Sequence, residues 1–389
     1  MKTVLLYDAP VSLRGDRFKM DRTYGVEVDA LAEYFEQVVV CNPVATFDIP
    51  QARYEPRATN ISLEILPYFS GVTSSFPVFP GCAHKIWRAS RSWDLLYIRL
   101  PSPLGIIGYL SAVARKIPVV LYVVGDLEAQ YEQGRYRGLS KVAARAAVKL
   151  FEGLTRWMVK HAVVITQGEA LYRKYKRNGN RILNILWSPI PEEQIADRPD
   201  TCRGSCIQLL FVGTLLEKKG IFVLLEAVKL LRGQIDNFKV TFVGTGPGVD
   251  ELTRRVQDAG LSEHVKLTGG IYDEVELIRE YDAADLFVFP TYAEGFPRVI
   301  FEAMARGLPV IATPVGGIPD IVKDGRDALL VPPESPQEVA EAVLRAINDS
   351  DLRISLIRRG YEIAREYSLE ATTRKHVEVG LSAFSPAWR

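Results

Sequence analysis

Cysteine, histidine and methionine are each scarce, with four of each in 389 residues. Cys41, Cys82, Cys202 and Cys206 are too few and too scattered for a disulfide framework. The Cys202/Cys206 spacing matches no common zinc pattern, and no second pair follows it. Reduced thiols in a cytoplasmic protein are therefore expected. His84, His161, His264 and His376 form no ligand cluster in sequence. An excess of one charge is also lacking: 48 basic residues against 47 acidic leave +1, so no global field points to nucleic acid. Long apolar runs are missing too. The nearest, "LPSPLGIIGYLSAVA" (100–114), is interrupted by prolines and falls short of the roughly 20 residues of a spanning helix. The opening "MKTVLLYDAP" turns acidic after a short strand-like run, unlike a secretory leader.

What is present is a repeated alternation of short apolar runs and helical patterns, which predicts a parallel α/β protein. Strands are expected at 3–8, 37–42, 94–100, 118–124, 162–167 and 182–187. Six more are expected at 207–213, 238–244, 264–270, 285–291, 309–314 and 328–333. Most are near-continuous Val/Ile/Leu runs, as in sheets covered on both faces. Between the two sets lies "SPIPEEQIADRPDTCRGSC", rich in proline, charge and small residues. The expected organisation is a Rossmann-like domain at 1–190, a linker at 191–206, a second Rossmann-like domain at 207–365, and a helix at 366–389 returning to the first. Ligands then bind at the carboxyl ends of strands, in the cleft where the domains face each other.

The most informative stretch is "EGFPRVIFE" (294–302), between a strand and a helix. Pro297 suits a first helical turn, and the amides of 296–299 point out of the helix start, which favours anions. Glu294 precedes those amides and Glu302 lies in the second turn. A carboxylate accepts two hydroxyl hydrogen bonds at once, as a ribose or sugar diol requires. The pair can hold the two ends of a sugar nucleotide, with phosphates over the amides.

This segment resembles the glutamate–seven–glutamate signature of the family 4 retaining glycosyltransferases, which have the two-domain GT-B fold. "FVGTLLEKKG" (211–220), "FVGTGPG" (242–248), "HVKLTGGI" (264–271) and "GLPVIATPVGGIPDIVKDGRDALLVPP" (307–333) resemble further family motifs in the right order. The resemblance covers 207–345 and thins over 1–190. It implies that Glu302 binds the nucleotide ribose and Glu294 the hydroxyls of the transferred sugar. Gly213 and Thr214 would line the donor loop, and Lys219 would neutralise the diphosphate. Gly295, Phe296, Pro297, Arg298 and Val299 would line the sugar and phosphates, with Ile271 and Tyr272 beside the base. It implies no cofactor beyond the nucleotide-diphosphate sugar itself. No metal is expected, because Lys219 and the helix amides can replace a divalent cation and no Asp-x-Asp ends a donor-domain strand.

Two positions depart from the family pattern. Thr214 stands where the family has an arginine clamp, and Arg298 could supply the missing guanidinium. Gly125–Asp126 stands where many members have His-Asp. Asp126 could orient the acceptor or stabilise positive charge in the transition state; it could equally cap the next helix. Glu294, Lys219 and Asp126 are thus the catalytic candidates.

On the acceptor side, Arg14, Arg17, Lys19 and Arg22 decorate a long loop ahead of Gly25, which is expected to open the next helix. Arg137, Lys141, Arg145 and Lys149 recur every four residues, continued by Arg156 and Lys160, with Trp157 among the apolar partners. A basic amphipathic segment of this kind, 135–162, can lie on the inner face of an anionic membrane and serve a lipid-linked glycan acceptor; an ordinary surface helix has the same pattern. The function expected is transfer of a sugar to a hydroxyl acceptor in cell-surface polysaccharide or glycoconjugate synthesis. A non-catalytic sugar-nucleotide or glycan binder is the alternative from another class. A sugar-nucleotide epimerase or a pyridoxal-phosphate phosphorylase fits less of the pattern.

Overall fold

The structure is a computed structural model. It describes all residues except 16, 70–75, 129–130, 132–137, 178–179, 236, 295–296 and 385–389, and leaves the side chains of 76 and 138–144 undescribed. The chain forms two compact units, Met1–Pro189 with Leu369–Arg389, and Ile190–Ser368. Each is an α/β domain built on its own, largely parallel sheet.

The first unit holds β1 (Lys2–Leu6), β2 (Val11–Arg14), β3 (Arg17–Asp21), β4 (Gln37–Ala45), β5 (Ala52–Tyr54), β6 (Ile61–Leu66), β7 (Leu95–Leu100), β8 (Val119–Val123), β9 (Val163–Thr166) and β10 (Arg181–Asn184). Their order is β10-β9-β8-β7-β1-β4-β2-β3-β5, with β6 also paired to β4. β4 serves two neighbours: Val38–Pro43 runs parallel to β6, and Val44–Ala45 parallel to β2. The direction of the strand order reverses between β1 and β7. At that switch point the Ser102 hydroxyl donates to Asp8 Oδ1 at 2.6 Å. One core lies on each face of the sheet. The first takes Cys82, Ile86, Leu104, Tyr109 and Met158 from three helices. The second takes Tyr24, Val28 and Leu31 from the helix Arg22–Ala32, and Val377 and Val379 from the C-terminal helix Leu369–Ser382.

The segment expected as a basic loop before Gly25 is instead the antiparallel pair β2–β3. The alternation Val11, Leu13, Phe18, Met20 is the period-two signal that the charged residues between them obscured. Arg14 pairs with Asp48 at 3.0 Å and Arg17 with Glu55 at 3.6 Å. Gly25 does not open the following helix. Asp21 caps it through the Tyr24 amide at 3.3 Å, and Gly25 sits inside it. A Cβ at Gly25 would come within 2.2 Å of the Tyr54 ring, so close packing explains that glycine.

The second unit is a six-stranded parallel sheet: β11 (Ile207–Val212), β12 (Phe238–Val243), β13 (Val265–Gly269), β14 (Leu286–Phe289), β15 (Val310–Ala312) and β16 (Leu329–Leu330). The order is β13-β12-β11-β14-β15-β16. The order reverses between β11 and β14, so a ligand crevice is expected beyond their carboxyl ends. Phe211, Phe242, Phe287 and Phe289 are fully buried beneath it, each worth about 1.5–3 kcal/mol of burial. The stretch read as a linker packs onto this unit: Arg353 pairs with Asp200 at 2.9 Å, and Asp285 accepts from the Cys202 amide at 2.7 Å.

Candidate active site

The site is built where the second sheet's order reverses. Gly213 follows β11, and its amide bonds Val243 at 3.0 Å. The glycine turn after β12 closes over the loop: a Cβ at Gly244 would lie 1.9 Å from the Gly213 carbonyl oxygen. Leu215 donates to Thr245 and accepts from Gly248, both at 2.9 Å. With Leu215 buried as an anchor, Thr214 is left exposed beside it.

The chain then makes one short 3-10 turn, Glu217–Lys219, and enters the left-handed region at Gly220, φ +78°. A Cβ there would stand 1.9 Å from the Pro290 carbonyl oxygen. The glycine thus lets the turn seat directly on the end of β14. The Tyr292 amide donates to the Lys218 carbonyl at 2.9 Å, and the Thr313 hydroxyl donates to the Thr291 carbonyl.

This local stitching delivers Lys219 to Glu294. The ammonium lies 2.6 Å from Glu294 Oε2, with the two side chains only 19% and 12% exposed. It also lies 3.4 Å from the Ala293 carbonyl and 5.7 Å from the centre of the Phe289 ring. The Glu294 backbone is held from the far side by Gly316, φ +57°, where a Cβ would come 1.7 Å from the Glu294 carbonyl oxygen. Gly316 lies inside the 307–333 motif. Its contact spans 22 residues of sequence, so no local signal marks it.

The helix Arg298–Ala305 follows. Pro297 is its N-cap, one position ahead of the expected first turn, and no side chain caps it. Its buried Ile300, Phe301, Ala303 and Met304 fix it to the core. Arg298 is exposed and Val299 half-buried at its start. Gly295 and Phe296 lie outside the described residues. On the next turn Glu302 Oε2 accepts from the Tyr281 hydroxyl at 2.7 Å. Tyr281 is fully buried; burial first, then the Glu302 charge, holds its phenol well above the usual range. Ile271, beyond β13, is half-buried and Tyr272 largely exposed, its hydroxyl 3.1 Å from where a Gly270 Cβ would stand.

Asp126 belongs to the other unit, beyond β8. It caps the amide of Glu128 at 2.9 Å and accepts from Lys174 at 2.7 Å. Lys174 also reaches Glu128 at 2.9 Å and Glu152 at 3.5 Å. Burial opposes its charge, but the bonds to Asp126 and Glu128 prevail and raise its pKa. Glu152 in turn accepts from Tyr175 at 2.9 Å. Asp126 is thus part of a network of three carboxylates around Lys174, in which Arg156 also pairs with Glu152 at 2.9 Å. Asp8 at the first switch point was also missed. Burial lifts its carboxyl to about 7 against the Ser102 hydrogen bond, a perturbation typical of functional sites.

Residues 202–363 match the family model of the Glycosyl transferases group 1. The second sheet, the glycines that follow β11 and β12, and the Glu294 loop all fall inside the matched range. An uncharacterized glycosyltransferase of Methanocaldococcus jannaschii is 29% identical over 74% of this chain and 76% of its own length. A Bacillus subtilis glycosyltransferase assigned to teichuronic acid biosynthesis is 30% identical over 65% of this chain, which spans only 61% of that protein. A GDP-mannose-dependent alpha-(1-6)-phosphatidylinositol monomannoside mannosyltransferase of Mycobacterium tuberculosis is 33% identical over 38% of this chain and 40% of its own. Among solved structures, Anabaena HepE in complex with UDP and glucose superposes with a TM-score of 0.68 at 19% identity, covering 98% of this chain and 99% of its own. The lipopolysaccharide biosynthesis glycosyltransferase WaaG gives 0.65 at 17% identity, over 98% and 99%. The fold is therefore GT-B, two parallel-sheet α/β domains in one chain.

Proposed function

We propose that this protein is a retaining, metal-independent glycosyltransferase that moves a sugar from a nucleotide-diphosphate donor to a hydroxyl acceptor in polysaccharide or glycoconjugate biosynthesis. The observation that carries the reading is the Lys219–Glu294 pair at the switch point of the second sheet, 2.6 Å apart and largely shielded. Lys219 is the cation for the diphosphate, and its low exposure keeps that attraction strong. Glu294 receives hydroxyls of the transferred sugar once the ammonium turns to the phosphates. Glu302, oriented by Tyr281, receives the ribose diol. In the transfer step the bond from the anomeric carbon to the phosphate oxygen breaks, and the acceptor oxygen bonds to that carbon from the same face. The acceptor proton passes to the departing phosphate. The protein supplies positioning and stabilises the departing charge.

The second reading, a sugar-nucleotide binder without turnover, draws on Thr214 and on Asp126 being engaged by Lys174. One assay separates the two. The protein is incubated with UDP-, GDP- and ADP-sugars in the presence of chelator, and release of the nucleoside diphosphate is measured, with Glu294→Ala as control. Release from one donor, lost in the variant, supports the transferase. Saturable binding without release, also when a membrane extract supplies acceptors, supports the binder. Release only after a divalent cation is restored would overturn metal independence.

A further inference from the structure

The switch point of the first sheet carries a carboxylate that the chemistry above does not use. Asp8 follows β1 and Ser102 follows β7, the two strands between which the strand order reverses. The Ser102 hydroxyl donates to Asp8 Oδ1 at 2.6 Å, and the Leu104 amide donates to the same carboxylate. Ser102 itself caps the helix Pro103–Arg115, accepting from the Gly105 amide at 2.9 Å. Two glycines seat that helix tightly. A Cβ at Gly105 would come within 2.7 Å of Ile98 on β7, and one at Gly108 within 2.3 Å of Leu6 on β1. Asp8 is thus fixed relative to both strands, and it is half-buried, with part of its surface open to solvent.

Asp8 lacks a cation. Among the described residues no lysine or arginine pairs with it; Arg137, and the side chain of Lys141, lie outside them. Its ionisable neighbours are Tyr7, from its own strand end, and Cys82, from the helix Phe79–Ala89, and burial keeps both neutral near pH 7. The nearest cations are engaged elsewhere: Arg99 with Glu27 at 2.6 Å, and Lys85 with the Ile65 carbonyl at 2.8 Å. A neutral asparagine could accept the same two bonds without desolvating a charge, and the helix start already has Ser102 as its cap. A carboxylate kept at this cost, where open parallel sheets receive ligands, marks a ligand contact. The groups assigned to the donor, Lys219, Glu294 and Glu302, all belong to the second unit, which leaves the first unit's crevice to the other substrate.

We propose that Asp8 sets acceptor specificity by receiving a non-reacting hydroxyl of the acceptor, and so selects polyhydroxylic acceptors over simple alcohols. The inference rests on the transferase reading. A carboxylate has about four acceptor positions, of which Ser102 and Leu104 take two. A substrate hydroxyl on a remaining position makes a charge-assisted bond. An alcohol without that hydroxyl leaves the carboxylate desolvated and unpaired, and sites built to bond a hydroxyl reject such analogues strongly. The reacting hydroxyl is not involved, so its proton still passes to the departing phosphate. The bond needs the ionised carboxylate, which burial makes weakly acidic, at about 7.

The test uses the full chain with whichever sugar nucleotide it turns over. The acceptor probes are the octyl glycosides of glucose, galactose and mannose, and 1-octanol, which shares their chain and lacks their further hydroxyls. Transfer is expected to a glycoside and not to octanol. Acceptor kcat/KM should fall as pH drops through about 7, because protonated Asp8 loses the bond. Asp8→Asn should raise the acceptor KM about ten-fold in mild alkali and flatten that acid limb, with the donor KM near wild type. Ser102→Ala removes a bond that opposes the effect of burial, so its acid limb should move to higher pH. A merely structural cap would change melting and leave both profiles in place. Equal transfer to octanol, donor hydrolysis without transfer to any probe, an acid limb that survives in Asp8→Asn, or a donor KM that rises with the acceptor KM would each overturn the assignment. Absence of any turnover by the wild type, hydrolysis included, would instead sink the transferase reading, and this inference with it.

Discussion

Two lysines, one in each unit, show how similar ion pairs serve different ends. Lys219 meets one carboxylate, Glu294, at the carboxyl edge of the second sheet. Lys174 meets three, Asp126, Glu128 and Glu152, in the first unit. An ammonium held by one carboxylate, with a longer 3.4 Å contact to the Ala293 carbonyl, can be taken over by an incoming phosphate, since one strong contact replaces another. An ammonium shared among three carboxylates cannot leave without exposing all of them to mutual repulsion. On the proposed reading the first pair is exchangeable and the second structural, although both rest on contacts shorter than 3 Å.

The largest effect that would sharpen this contrast is on turnover. Glu294→Gln should lower transfer at least 100-fold, as expected for a lost contact to the reacting sugar, while the melting temperature stays near wild type. In the same variant, binding of UDP, GDP or ADP, whichever the protein prefers, should tighten a few-fold, because Lys219 no longer has a competing partner. Lys219→Ala should weaken that binding about ten-fold, and Glu294→Gln should then have little further effect. Equal tightening with and without Lys219 would reduce the pair to simple charge repulsion between Glu294 and the ligand.

Lys174→Met should do the reverse. It should cost about 2–3 kcal/mol of stability by leaving Asp126 without its cation and Glu152 with Arg156 alone, read as a fall of several degrees in the first unit's melting. Nucleoside diphosphate affinity should hold. An unchanged melting temperature would break the comparison.

A smaller effect concerns pH. Burial, aided by the Arg99 charge, pushes the His376 imidazole down from 6.5 to about 3. The folded chain keeps it neutral while the unfolded chain takes a proton below 6.5, so its contribution is present above 6.5 and lost as pH falls toward 3. The first unit should lose about 1 kcal/mol per pH unit through this group in that window. His376→Phe should flatten the slope of denaturation midpoint against pH, and an unaltered slope would refute the assignment.

The smallest effect is at Tyr281. Tyr281→Phe removes the hydroxyl that orients Glu302 at 2.7 Å and should raise the donor KM a few-fold with kcat nearly unchanged. A kcat loss without a KM change would place Glu302 nearer the chemistry than the ribose role allows.

The twelve strands expected from apolar runs all occur, from β1 to β16, because a strand buried on both faces must be apolar along its length. The four that escaped, β2, β3, β5 and β6, are short or alternate with charge near one edge of the first sheet, where one side faces water. Glu294, Glu302 and Lys219 stand out as candidates because the turn after β11 and the loop and helix start after β14 that carry them are each local in sequence. Their partners were not. Gly316 behind Glu294, Tyr281 on Glu302 and Lys174 on Asp126 come from 22, 21 and 48 residues away. The sequence by itself determined the parallel α/β class and which short motifs end which strands, since periodicity and turn chemistry act over a few residues. Only the tertiary structure decided which charges meet. Side chains distant along the chain become neighbours through strand order, and strand order is set by the packing of whole sheets.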